Sequence, residues 1–420
     1  MPLSHISAVD ASTAYAAGGL SLSYTDQENV IIKTTDGGQN WSTVFHSYTT
    51  FIYDICAVDA SNIWAVTLNK VPTDADPNGK MFQILRSTNS GTTWELKYSL
   101  DGAYIWDYMK YEISAVNPSI AWVAGQGGVV YRTADGGNTW AALDSGLSPD
   151  GIPLASDYSS IYAIDSNTAW AAGWSLTWVK SNPAGNPVYL PGPPWALSLP
   201  YLPVITMTTD GGASWTVKKT GTYDTGFSDI SAADAGNAIA VGKEISYDPY
   251  PQVIPVAFYP AGGYLYFYAT PISTSGVAIT HNGGGDWFPQ AVNVPFTLNS
   301  AAMVDANTAW VASDQGFFLK TTDGGVSGVQ QTAGTVSYIR EVDAVDPTTA
   351  WAVGFFTGFS GSDILRTIDG GDASPDILSV SPASAGWGDS VTIKGTDFGA
   401  TQDPASFVSF GGVKATDYVS

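Results

Sequence analysis

Four carboxylates, Asp54, Glu112, Asp229 and Glu341, hold one recurring place in this chain, just before a short apolar strand segment. The other copies of that place hold His5, Ser160 and Ser300. If the seven segments surround one axis, the carboxylates ring its opening. Such a ring could bind a cation, or like-charge repulsion could raise one carboxyl and make a general acid beside an ionised base. Inverting hydrolysis of a glycosidic bond would need two carboxyls about 6.5–9.5 Å apart. The competing reading is a set of ordinary solvated carboxylates. A second constellation, Asp74-Ala75-Asp76-Pro77-Asn78-Gly79, places Asp74, Asp76 and Asn78 like the opening ligands of a calcium loop. The later ligand places are Phe82 and Leu85, so no closing carboxylate follows, and a polar turn competes with calcium binding. No other cofactor is implied. His5, His46 and His281 lack ligand spacing, Cys56 stands alone, and no nucleophile elbow, P-loop or dinucleotide fingerprint occurs.

The elements that must position these residues come from two alternating repeats. The first reads ISAVDASTAYAAG (6–18), ICAVDASNIWAVT (55–67), ISAVNPSIAWVAG (113–125), IYAIDSNTAWAAG (161–173), ISAADAGNAIAVG (230–242), AAMVDANTAWVAS (301–313) and VDAVDPTTAWAVG (342–354). The second reads TTDGGQNW (34–41), STNSGTTW (87–94), TADGGNTW (133–140), TTDGGASW (208–215), THNGGGDW (280–287), TTDGGVSG (321–328) and TIDGGDAS (367–374). Each pair encodes four strands: apolar and β-branched segments reversed by Asp- and Gly-bearing turns. Seven such units predict an all-β, seven-bladed β-propeller over residues 1–374.

Composition narrows the function. Sixteen Lys+Arg face 38 Asp+Glu, a net charge of −22, which argues against nucleic-acid binding and docking on anionic lipid. One cysteine excludes a disulfide framework. No apolar run is long enough for a transmembrane helix, and the first residues lack the basic and apolar regions of a signal peptide.

The second repeat resembles the Asp box of BNR repeats, with Asp36, Asn89, Asp135, Asp210, Asn282, Asp323 and Asp369 at its acidic place. That resemblance implies a sialidase-like propeller fold, found also in xyloglucan-cleaving glycosidases, sortilin-type receptors and photosystem II assembly factors. The alternating AVD…AWA pattern is most similar to the assembly-factor-like branch. An Asp repeated in each blade implies a structural task, capping its own turn. Sialidase chemistry would need three converging arginines. Of Arg86, Arg132, Arg340 and Arg366, three sit at one repeat position on different blades, so convergence is excluded.

In this fold the Asp boxes and Asp-x-x-x turns lie at one end, and the long insertions lie at the other. The inter-blade segment 95–112, at the same end, carries Trp106 and Tyr108, and the insertions carry Trp178, Tyr189, Trp195 and Tyr201, and Tyr250 and Tyr266. Aromatics among few charges suit sugar stacking or a protein contact, or they pack on themselves. Residues 375–420 resemble half of an IPT/TIG immunoglobulin-like domain, through Pro375, Val380, Pro382, Gly388, Val391, Gly395, Phe398, Phe410 and Gly411. Half a sandwich leaves an open edge. The chain is therefore expected to be a piece of a longer protein, or to receive strands from a neighbour in self-assembly. The expected function is non-catalytic. An exported or cell-surface bacterial protein would bind or assemble with protein or glycan partners through the insertion-bearing end. The alternative is a glycoside hydrolase of the xyloglucan-cleaving type.

Overall fold

The computed structural model describes residues 2–19, 28–70, 80–101, 110–125, 128–144, 155–176, 201–220, 226–246, 252–254, 265–267, 272–292, 297–332, 338–356, 361–371, 376–381, 392–396, 409–410 and 413–414. The chain divides into two compact units, Met1–Gly370 and Gly371–Ser420. The first unit is a seven-bladed β-propeller of antiparallel sheets. Blade 1 shows the pattern: an inner strand Leu3–Ala8, then Ala14–Gly19, Asn29–Thr34 and an outer strand Ser42–Ser47. Blades 2 (50–101), 3 (112–144), 4 (155–220), 5 (226–292) and 6 (298–332) repeat it. The described sheet of blade 7 has three strands, Tyr338–Ala344, Ala350–Phe355 and Ser362–Thr367. A 3₁₀ turn, Asp314–Gly316, leads into the third strand of blade 6.

The core lies between blades. Each second strand is covered on both faces, which explains its run of alanines around one large ring. In blade 1, Ala14, Tyr15, Ala16 and Ala17 are all fully buried. One apolar cluster joins Trp64, Val66 and Ile84 of blade 2 to Ile113, Ala121 and Val123 of blade 3. Another joins Leu3, Ile6, Ala14, Ala16 and Val30 of blade 1 to Trp351 and Val353 of blade 7 and so closes the circle.

Two local features aim side chains at the axis. A β-bulge interrupts the inner strand between Leu3 and His5, Ile52 and Asp54, Tyr158 and Ser160, Phe227 and Asp229, Leu298 and Ser300, and Ile339 and Glu341. A bulge turns the next side chain off the strand's regular alternation, so six of the seven recurring places follow one. The glycine ending the first repeat belongs to the same device. A Cβ on Gly18, Gly242 or Gly354 would press into the backbone of Leu3, Phe227 or Ile339 at the bulge.

The two turn types do lie together. In every blade an amide of the second repeat's Gly-rich turn donates to a carbonyl of the first repeat's turn, from Gly37 to Ser12 in blade 1 (2.9 Å) through Ser90 to Ser61, Gly136 to Ser119, Gly211 to Asn167, Gly283 to Gly236 and Gly324 to Asn307, to Gly370 to Thr348 in blade 7. The insertions therefore leave from the opposite ends of the strands. Blades 4 and 5 lengthen there, with pairing carried out to Leu176 opposite Tyr201 and Ser246 opposite Ile272. In the second unit, Asp376–Ser381 pairs with Thr392–Thr396, and Ser409–Phe410 with Val413–Lys414.

Candidate functional site

The inner strand of a blade has one edge without a neighbouring strand, and its amides still require acceptors. The recurring polar places supply them across the blade boundary. Glu341 Oε2 accepts from the amide of Ile6 (3.1 Å), and Asp54 Oδ2 from Ile113 (2.8 Å). Glu112 Oε1 accepts from Ile161 (3.3 Å), and Ser160 Oγ from Ile230 (3.1 Å). Asp229 Oδ2 accepts from Ala301 (2.9 Å), and Ser300 Oγ from Val342 (3.2 Å). Only His5 breaks the cycle; the amide of Ile55 turns to its neighbour Asp54 Oδ1 instead (2.7 Å). A second tier, two residues further along the strands, repeats the device. Ser7 accepts from Ala57, Cys56 Sγ from Ala115, Ser114 from Ala163, Ser231 from Met303 and Asp343 from Ala8. Burial pushes the Cys56 thiol up to about 12, so it is an acceptor and not a nucleophile.

The four sequence-identified carboxylates thus come together at one channel mouth, in two clusters. In the first, His5 Nδ1 lies 3.4 Å from Asp54 Oδ1 and 3.3 Å from Glu341 Oε2. Burial alone would lower the imidazole, but hydrogen bonds to Asp54 and Glu341 overcome it and raise its pKa to about 9. His5 is therefore an imidazolium bridging blades 7, 1 and 2. Among the described residues these three form the one group whose donor atoms would reach a common cation, all lying within 4.8 Å of one another. As an imidazolium His5 has no lone pair to offer a metal, and its own positive charge already sits between the two carboxylates. In the second cluster, Lys110 Nζ lies 2.9 Å from Glu112 Oε2 and donates to the Ser228 carbonyl (3.3 Å), so it spans from blade 3 to blade 5. Between them Ser160 Oγ sits 2.7 Å from Glu112 Oε1 and 2.7 Å from Asp229 Oδ1. A serine hydroxyl fills the space between the two carboxyls.

The opposite end is built from the Gly-rich turns of the second repeat. In blade 3, Asp135 Oδ1 accepts from Thr133 Oγ1 (2.9 Å) and the Thr139 amide (2.9 Å), and Oδ2 from Thr139 Oγ1 (2.7 Å). Asp36, Asp210 and Asp323 repeat this cap, Asn89 and Asn282 replace it with an amide oxygen, and Asp369 accepts from Thr367. Bonds to Thr139 hold the Asp135 carboxyl down at about 2. The cations before these turns reach the next blade. Arg86 donates to Gly136, Arg132 to Ser166, Lys320 to Pro347 and Gly370, and Arg366 to Ala11. Each lies over a ring of its own blade's second strand, as Arg86 does over Trp64 (5.0 Å). Arg340 lies apart, over Phe355. Sequence reasoning identified the repeated position but not this inter-blade contact. The tryptophans that end the second repeat wedge between blades: Trp41 meets Trp351, Trp140 meets Trp64, Trp215 meets Trp122 and Trp287 meets Trp170, all edge to face.

The calcium-loop residues Asp74, Asp76 and Asn78 lie outside the described residues, as do Trp106, Tyr108, Trp178, Tyr189, Trp195 and Tyr250. Tyr201 opens the third strand of blade 4, and Tyr266 lies in the short strand Leu265–Phe267, which pairs with Gln252–Ile254 between the second and third strands of blade 5.

This architecture defines a seven-bladed β-propeller. The chain matches no protein-family model and no curated protein. Among solved structures it is similar to YCF48 bound to D1 peptide, with a TM-score of 0.51 and 15% identity over 87% of this chain and 93% of that one. YCF48 from Cyanidioschyzon merolae aligns with a TM-score of 0.49 and 14% identity, over 87% of this chain and 95% of that one. The GH74 xyloglucanase from Xanthomonas campestris aligns with a TM-score of 0.48 and 12% identity, over 91% of this chain and 56% of that one.

Proposed function

We propose that this propeller is a non-catalytic binding protein whose partner-facing surface is the end carrying the insertions. The observation that carries this reading is the division of labour between the two ends. At the Asp-box end the described turns bond one another, and the carboxylates and cations go to repeated structural contacts. The non-repeated sequence, rich in aromatics, leaves from the other end, and binding concentrates in such loops on rigid scaffolds. The carboxylates at the mouth accept inner-strand amides, and a hydroxyl separates Glu112 from Asp229. That arrangement supports binding over glycoside hydrolysis. A protein or peptide partner is favoured over a glycan, because the similar YCF48 structure is bound to a peptide. The acidic, cation-poor composition fits an exported or cell-surface protein. Residues 375–420 read as an IPT/TIG-type segment that accepts strands from a neighbour.

The test is selection from a displayed random-peptide library against the whole chain, with a glycan array in parallel. Peptides whose binding falls at least tenfold in Trp106→Ala or Trp195→Ala support the reading. Binding to glycans alone, or peptides indifferent to both substitutions, would overturn the peptide assignment.

A further inference from the structure

The second cluster at the channel mouth has one hydrogen too few if all its carboxyls are ionised. Ser160 Oγ stands 2.7 Å from both Glu112 Oε1 and Asp229 Oδ1, and a serine hydroxyl has a single proton to donate. The same oxygen accepts the Ile230 amide, and its contact with the Ile230 carbonyl is longer, at 3.4 Å. With both carboxyls charged, one of the two short contacts would join two bare acceptors. Ser160 is fully buried and Asp229 nearly so, and water cannot supply the missing donor cheaply there. We infer that Glu112 and Asp229 share one proton through the hydroxyl of Ser160. The hydroxyl donates to whichever carboxylate is ionised and accepts from the O–H of the other.

The surroundings agree. Two carboxyls so close resist double ionisation. Asp229 also accepts the amides of Ile230 (2.8 Å) and Ala301 (2.9 Å). Burial pushes the Glu112 carboxyl up to about 8, with Asp229 and Asp54 adding to the rise and Lys110 opposing it. Facing the dyad are Lys110 beside the blade 3 inner strand, Asp54 on blade 2, Tyr162 on blade 4 and Asp343 on blade 7, with His5 and Glu341 grouped beside Asp54. A carboxyl with a higher pKa folded than unfolded takes up a proton on folding. Its stabilisation is complete below about 4.5, declines as pH rises, and is gone above about 8. The junction of blades 3, 4 and 5 is therefore a pH-sensitive fastening, independent of the binding reading.

The test combines thermal melts from about pH 4 to 9 with infrared difference spectra at about pH 6. It uses wild type, Glu112→Gln, Asp229→Asn and the double variant. Sharing predicts that each single variant loses the protonated-carboxyl absorbance of one group and that the double variant loses no more. It also predicts that Glu112→Gln flattens the decline in Tm between about pH 4.5 and 8. Equal spectra for wild type and both single variants overturn the proposal, because both carboxyls are then ionised. Loss in Glu112→Gln alone overturns it as well, because the proton then belongs to one residue. If the variants do not fold, assigned carboxyl carbon shifts in wild type decide. Glu112 and Asp229 moving together in one step supports sharing, and both at ionised positions at about pH 6 excludes it.

Discussion

At the scale of single residues, His5 is the exception that reveals the rule. Six of its counterparts are acceptors for a neighbouring amide, whereas His5 is a cation between two of them. Its raised pKa makes a signed prediction. The His5 contribution is complete below about pH 6.5 and is lost as pH rises through about 9. Wild type should exceed His5→Gln by about 2–3 kcal/mol near pH 6, with the gap closing by about pH 10, read from denaturant melts at each pH. The turn carboxylates act in the opposite window. The carboxyls of Asp36, Asp135, Asp323 and Asp346 lie at about 2, so their stabilisation is present above about 3.8 and lost as pH falls through about 2. Asp135→Ala should lower Tm more than Asp135→Asn, since an amide oxygen still accepts the Thr139 amide. The chain itself uses that substitution at Asn89 and Asn282. The cap was legible in the sequence because it is made within one turn. The ring's amide-accepting role was not, although every ring residue but His5 carries an acceptor oxygen.

At the scale of elements, blades adhere through a cation set between an indole and the next blade's carbonyl. Arg86→Ala removes the contact with the Trp64 face and the bond to Gly136 together. A loss of about 1–2 kcal/mol is expected, measured by urea denaturation. Arg340→Ala, whose only described ring partner is Phe355, should cost less. Met207 holds the corresponding position in blade 4 and packs in the cluster of Trp170 without a charge, so the contact is apolar first and ionic second. The strands, their turns and the shared end of the two turn types followed from sequence period and turn chemistry. The bulges did not, because a bulge adds one residue to a strand without any composition of its own.

At the scale of the whole molecule, the first blade must find the last. That junction uses the amides of Ile6 and Ala8 on Glu341 and Asp343, the Trp351 indole on the Asp10 carbonyl (3.2 Å), and Arg366 on Ala11. Trp351→Ala opens a buried space at the closure and should cost about 3–5 kcal/mol, with limited proteolysis cutting first in blade 1 or blade 7. The amino-acid order alone determined the number of blades, the four-stranded plan of blades 1 to 6 and the end from which the insertions leave. Each of these follows from contacts a few residues apart, repeated seven times. Only the tertiary structure decided what the channel carboxylates do. Their partners are amides, a hydroxyl and a histidine roughly 50 to 335 residues away, and closure of the circle is what brings acceptors and donors into reach.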